Sequence, residues 1–205
     1  GQGDHARGGH GETIATPATL AIMELRYQTR EGAAPIEYGE TIRLPGGVTA
    51  TFIPAGHVLG SAQILLEHAG DRVVVTGDYK RRADPTCSPF EVTPCDVFIT
   101  EATFGLPVFC HPPIAQEIAK LTKALRDHPD RCVLVGAYAL GKAQRLIAEL
   151  RAAGHRDPIY LHGAMERMCR LYEDFGAELG ELRLVADHSK DDLRGAIVVC
   201  PPGAL

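Results

Sequence analysis

The chain has 205 residues, 45% hydrophobic and 23% charged, with a formal net charge of −5. That is ordinary globular composition, enough for one large domain or two small ones, each with a real core. The acidic balance argues against a generic nucleic-acid-coating protein, although the Lys80-Arg81-Arg82 cluster leaves room for a locally basic cleft.

The longest apolar runs, such as Val73-Val74-Val75 and Cys132-Val133-Leu134-Val135, are strand-length and too short to span a bilayer. No basic-then-apolar leader precedes them, so the expectation is a cytoplasmic protein with no membrane partner. Six cysteines (87, 95, 110, 132, 169, 200) lack C-x-x-C spacing. Several lie inside apolar runs and read as buried small hydrophobes in a reducing compartment, not as a zinc ribbon. The chain opens on Gly1-Gln2-Gly3-Asp4-His5 and closes on Pro201-Pro202-Gly203-Ala204-Leu205. Both edges read as cut from something longer.

In chain order, Pro17 marks the first turn of a helix with Leu20, Ile22, Met23 and Tyr27 as its apolar stripe. Residues 49–54 alternate as a strand. Strands over 62–67 and 71–76 follow, joined by the His68-Ala69-Gly70 turn. After Pro107 helices and strands alternate. Ile114, Ile118, Leu121 and Leu125 recur at helical spacing, then a strand covers 131–137. A helix over 141–153 is stopped by Gly154, and a strand covers 158–161. Met165, Met168, Leu171, Tyr172 and Phe175 mark a helix ended by Gly176, and a last strand covers 196–200.

Strands alternating with such helices predict parallel βαβ units. The fold class is therefore α/β, with a sandwich portion over 1–107 and a Rossmann-like portion over 108–205. No G-x-G-x-x-G follows a strand, so the Rossmann texture carries no dinucleotide signature.

Asp4-His5, His57 and Asp78 lie in loops beside apolar strands, two of them next to glycines (Gly56-His57, Gly77-Asp78). Loop ends of a sheet are where functional groups converge. Imidazole nitrogen and carboxylate oxygen together suit Zn²⁺ and related divalent ions. Singly, Asp78 reads as a turn residue and His57 as a hydrogen-bonded loop residue; their combination favours one site. Among the other histidines, His10 reads as an exposed loop residue and His68 as part of a hairpin turn. His128 and His155 sit at helix ends, where a cation suits the macrodipole. His162, after a strand, is open between site and surface. His188 reads as solvated beside Asp187, Ser189 and Lys190.

The stretches "DHARGGHG", "AGHVLGSAQ", "TGDYK" and "FITEATFG" together resemble the metallo-β-lactamase superfamily, specifically its β-CASP nucleases. "EATFGLPVF", "GAYALGKAQRL" and "YLHGAMERMCRLYEDFG" resemble the bacterial ligase-associated DNA exonucleases, also described as mRNA 3′-end processing factors. The resemblance runs in order along essentially the whole chain. It implies a metallo-β-lactamase αββα sandwich portion over 1–107 and a β-CASP portion over 108–205, both incomplete.

It further implies two divalent metals, zinc with manganese as the alternative, held by Asp4, His5, His57 and Asp78. Asp4 and His5 match the tail of the H-x-H-x-D-H motif, His57 the next motif's histidine and Asp78 the bridging aspartate. Glu101 matches the acidic residue that opens the β-CASP region, where it orients the centre without ligating. Asp4 and Glu101 are thus the candidate catalytic residues. Two ions about 3.5–4 Å apart could bind one phosphodiester and lower the pKa of a bound water. Lys80 is a candidate phosphate contact. Gly141 and Lys142 begin a helix whose N–H groups could receive a phosphate.

The pattern also departs from the family. The motif's first histidine would precede Gly1, and its second falls on Gln2, a poor zinc ligand. The general-acid histidine and the last metal-binding histidine would lie beyond Leu205. The chain by itself is therefore expected to be inactive or incomplete.

The functional expectation is a two-metal phosphodiesterase, a DNA exonuclease in end processing or repair. Its partners would be nucleic acid, DNA favoured over RNA, and a DNA ligase and helicase of the same pathway. The alternatives are an RNA-processing β-CASP ribonuclease and a non-catalytic degenerate relative, the latter favoured by Gln2. A small-molecule hydrolase of the lactamase kind is opposed by the βα half, which suits a polymer. The structure should bring Asp4, His5, His57 and Asp78 to one cleft, with Glu101 pointing to it and one of Lys80, Arg81 and Arg82 reaching it.

Overall fold

In the computed structural model, which describes residues 11–28 and 32–205, the chain divides into the units Gly1–Leu106 and Pro107–Leu205. Gln2, Asp4, His5 and His10 lie outside the described residues.

The first unit begins with β1 (Thr13–Ala15), α1 (Pro17–Tyr27) and β2 (Ala33–Pro35), β1 and β2 pairing in parallel. Thr16 caps α1, its hydroxyl accepting the Thr19 N–H at 3.2 Å, and Pro17 supplies the preset first turn. Gln28 closes the helix in the left-handed conformation. The remaining strands are β3 (Thr41–Arg43), β4 (Thr49–Pro54), β5 (Ala62–His68), β6 (Asp71–Val75) and β7 (Val97–Ile99).

These five form one sheet in sequence order, antiparallel from β3 to β6 and parallel between β6 and β7. Ala69 (φ 52) and Gly70 (φ 98) join β5 to β6. Two successive positive φ angles match the twist of the flanking strands. Both faces of the sheet carry apolar side chains. Phe52 stands opposite Ile64 and Ile64 opposite Val75, while Leu65 pairs with Val74 on the other face. Gln63, though 1% exposed, is satisfied, because its amide donates to the carbonyls of Pro54 (2.9 Å) and Glu91 (2.7 Å).

The second unit runs α2 (Ile114–Asp127), β8 (Val133–Gly136), α3 (Lys142–Ala152), β9 (Ile159–Leu161), α4 (Gly163–Asp174), β10 (Leu182–Leu184) and β11 (Ile197–Cys200). The sheet order is β10-β9-β11-β8 with every pair parallel, as βαβ connections require. β9 and β11 are buried along their whole length. Ile147, Leu150, Met165 and Tyr172 from α3 and α4 are buried with them. Arg151, also buried, donates to the carbonyls of Leu179, His155, Asp157 and Glu181 at 2.7–3.1 Å.

The α/β class is as expected, and Cys169 and Cys200 are buried. Cys110 and Cys132 are exposed instead, Cys132 being in phase with the exposed Leu134 of the edge strand β8. Among the described residues no helix is long and apolar enough to cross a membrane.

Two histidine expectations are corrected. His155 is no helix-end cation: burial, then the neighbouring Arg151, lower its proton affinity, and its buried Nε2 has no hydrogen-bond partner among the described residues. His188 is no solvated loop residue, since its Nδ1 lies 2.9 Å from the Leu184 carbonyl and its ring meets Tyr160 edge-on at 5.0 Å. His162 resolves as the N-cap of α4, accepting the Ala164 N–H at 3.1 Å.

Candidate functional site

The strand registers of the first unit bring three loops to one sheet edge. Pro54 pairs with Ala62, so the loop holding His57 leaves the C-terminal end of β4. Ile64 pairs with Val75 and Val75 with Ile99, so β6 and β7 end at that same edge. Asp78 follows β6 and Glu101 follows β7.

There His57 Nε2 lies 3.8 Å from Asp78 Oδ2, with the two side chains 38% and 48% exposed. Burial lowers the proton affinity of His57, opposed chiefly by the Asp78 charge. The imidazole is therefore held toward its neutral form, the one that can donate a lone pair to a metal. The carboxylates of Glu101 and Asp84 also act on His57. Glu101 accepts the Thr103 N–H at 2.7 Å, which fixes its carboxylate in the turn after β7.

The His57 loop is fastened from several directions. Ser61 Oγ accepts the N–H groups of His57 (3.0 Å) and Val58 (3.2 Å). The Gly60 carbonyl accepts the hydroxyls of Thr16 (2.8 Å) and Thr19 (2.9 Å), tying the loop to the start of α1. Gly56 has φ +68, and a Cβ there would lie 2.5 Å from the Lys80 carbonyl oxygen and 2.7 Å from the Phe90 nitrogen. Only glycine fits that crossing of backbones.

Sequence reasoning did not find Ser61, Thr16, Thr19 or Asp84. Ser61 stood four residues past His57 inside the quoted motif. The other roles depend on contacts that no local pattern announces.

Lys80 is corrected in emphasis. Its ammonium donates to the His57 carbonyl at 3.3 Å and to the buried carboxylate of Asp84, so it faces into its own loop before any phosphate. Arg81 is exposed beside it.

The phosphate-receiving role of Gly141 and Lys142 is also corrected. The Gly141 N–H donates to Gln144 Oε1 (2.8 Å), that of Lys142 to the Leu140 carbonyl (3.1 Å) and that of Ala143 to Tyr138 (3.1 Å). No N–H of these three is left for an anion. The Lys142 ammonium lies 4.6 Å from the Tyr138 ring centroid, a cation–π arrangement.

Among the described residues no cluster of three metal-ligating side chains occurs; His57 and Asp78 are two donors, and Asp4 and His5 lie outside. Two donors about 2.1 Å from one tetrahedral ion stand roughly 3.4 Å apart. The observed 3.8 Å is close to that spacing.

The site among the described residues is thus an open imidazole–carboxylate pair at a sheet edge, with the Glu101 carboxylate acting on it. The chain is 31% identical over 196 residues to a probable DNA ligase of Opitutus terrae, covering 94% of this chain and 19% of that protein. It is 36% identical over 140 residues to the endoribonuclease ysh1 of Aspergillus fumigatus, covering 63% and 16%. It is 34% identical over 134 residues to the cleavage and polyadenylation specificity factor subunit 3 of Dictyostelium discoideum, covering 60% and 17%. The resemblance carried by the motifs holds: the chain is a relative of the β-CASP nucleases of the metallo-β-lactamase superfamily. It spans less than a fifth of each of these three relatives. No protein-family model matches it.

Proposed function

We propose that this chain carries part of a two-metal phosphodiesterase, with 1–107 as its metallo-β-lactamase portion and 108–205 as its β-CASP portion. The observation that carries the reading is the meeting of His57, Asp78 and Glu101 at one edge of the five-stranded sheet. His57 and Asp78 would hold divalent ions, zinc or manganese, together with Asp4 and His5. A bound ion would supply Lewis-acid stabilisation of the phosphodiester and a water acidic enough to attack at neutral pH. Glu101 would orient the centre, Asp4 would bind and align the attacking water, and Arg81 is better placed than Lys80 for a phosphate.

The substrate favoured is DNA, cleaved from an end, with a DNA ligase as functional partner. Support comes from the probable DNA ligase, whose likeness spans 94% of this chain. Processing of RNA is the second reading, favoured by the endoribonuclease relatives, which reach 39% identity over 116 residues.

Metal analysis joined to cleavage of labelled single- and double-stranded DNA and RNA by the whole protein tests both. The expected result is end-wise DNA cleavage that His57→Ala and Asp78→Asn each abolish. Internal cleavage of RNA with DNA untouched would move the conclusion to the second reading. Cleavage of a β-lactam or thioester alone would end both.

A further inference from the structure

Lys80 touches the His57 loop at three consecutive residues. Its N–H donates to the Ala55 carbonyl at 3.0 Å. Its own carbonyl occupies the space a side chain on Gly56 would need. Its ammonium donates to the His57 carbonyl at 3.3 Å. Lys80 also stands two residues after Asp78, so one residue is joined to both members of the imidazole–carboxylate pair.

What holds the ammonium there is Asp84, with a side chain only 4% exposed. One Asp84 oxygen accepts the N–H of Thr86 at 2.9 Å and its hydroxyl at 2.7 Å, and the other takes the Lys80 ammonium. A buried carboxylate so anchored has no freedom to follow the lysine, and a lysine released from it would leave that carboxylate uncompensated.

We propose that the Lys80–Asp84 ion pair is a positioning device that fixes the distance between His57 and Asp78, so that metal affinity depends on a pair that touches no metal. The proposal rests on the site reading above. Partners that orient a ligand from outside its shell typically change metal affinity by about 10–100-fold when lost.

The test uses the 205-residue chain and reads the His57 ring signals by NMR without metal, the amide exchange of His57 and Val58, and zinc affinity by titration. In Lys80→Met the His57 ring signals should shift or broaden, exchange at His57 should quicken at least tenfold, and zinc affinity should fall about tenfold. The rings of His162 and His188, in the other unit, should not change. Asp84→Asn, which keeps the size and the Thr86 bonds but frees the lysine, should change His57 in the same direction; it decides the matter if Lys80→Met does not fold. Unchanged His57 ring signals and exchange in a folded variant would overturn the positioning role. Zinc that leaves the His57 signals of the unmodified chain unmoved would instead overturn the metal reading, while the metal-free measurements still judge the brace.

Discussion

Each unit has a glycine with positive φ in the loop following a strand, and the two loops use their polar groups differently. After β4, Gly56 (φ +68) lets the Lys80 backbone cross close by, and Ser61, Thr16 and Lys80 hold the loop by its main chain. The side chain of His57 is left to point outward beside Asp78. After β8, Gly141 (φ +83) instead lets the loop fold on itself, and the N–H groups of Gly141, Lys142 and Ala143 are bonded to Gln144, Leu140 and Tyr138. Both turns thus engage their main chains, and what differs is that the first leaves the His57 imidazole outside its fastening, beside Asp78.

Gly56→Ala should break the contrast most severely. The left-handed conformation costs a side-chain-bearing residue about 1–2 kcal/mol and forced backbone displacement about 1–3 more. A loss of about 3 kcal/mol in denaturant unfolding is expected, with the first unit affected. A near-neutral result would mean that the crossing of Gly56 and Lys80 relaxes freely. Gly141→Ala should cost about 2 kcal/mol through its unusual backbone angles, yet leave nucleic-acid affinity of the folded chain unchanged, as measured by fluorescence anisotropy. Loss of affinity without loss of stability would restore the anion-binding role to that loop.

Ala69→Gly should sharpen the picture of the first sheet by removing a left-handed alanine (φ 52) from the β5–β6 turn, raising stability by about 0.5–1 kcal/mol. The smallest effect concerns His155. Burial lowers its folded-state proton affinity, so below about pH 6.5 the unfolded chain binds more protons than the folded one. Stability contributed there is present above the unfolded value and is lost as pH falls through the lower folded one. His155→Leu should flatten that part of a stability–pH profile measured between pH 7 and 5. An unchanged profile would show that the ring gains a partner on protonation.

The sequence showed clearly whatever was local and periodic. β4 alternates, β5 and β6 flank a short turn, α1 and α4 carry apolar stripes, and α3 and α4 stop at glycines, so local pattern located them. The short strands were hidden for a physical reason. β2 is Ala33-Ala34-Pro35, paired with residues twenty positions back, and β7 and β10 are three residues each, made strands by their neighbours. The pair His57 and Asp78 stood out as residue types at strand ends. Asp84, Ser61 and Thr19 did not, because their roles arise from what the folded chain brings to them. The N–H groups of Gly141 and Lys142 misled for the same reason: a sequence shows donors but not whether they are already engaged.

The amide of Gln63 orders events in time. The β4–β5 hairpin closes within residues 49–67, and such near-neighbour contacts form fast. Gln63 meets one of its acceptors only on Glu91, 28 residues further along. Contacts of longer sequence separation form later, since closing the longer loop costs more entropy before it yields a bond. During synthesis the hairpin can therefore exist before the segment that anchors its amide has left the ribosome. Until then only the Pro54 carbonyl can take the Gln63 amide, while the His57 loop already has Ser61, Thr16 and Thr19 to hold it.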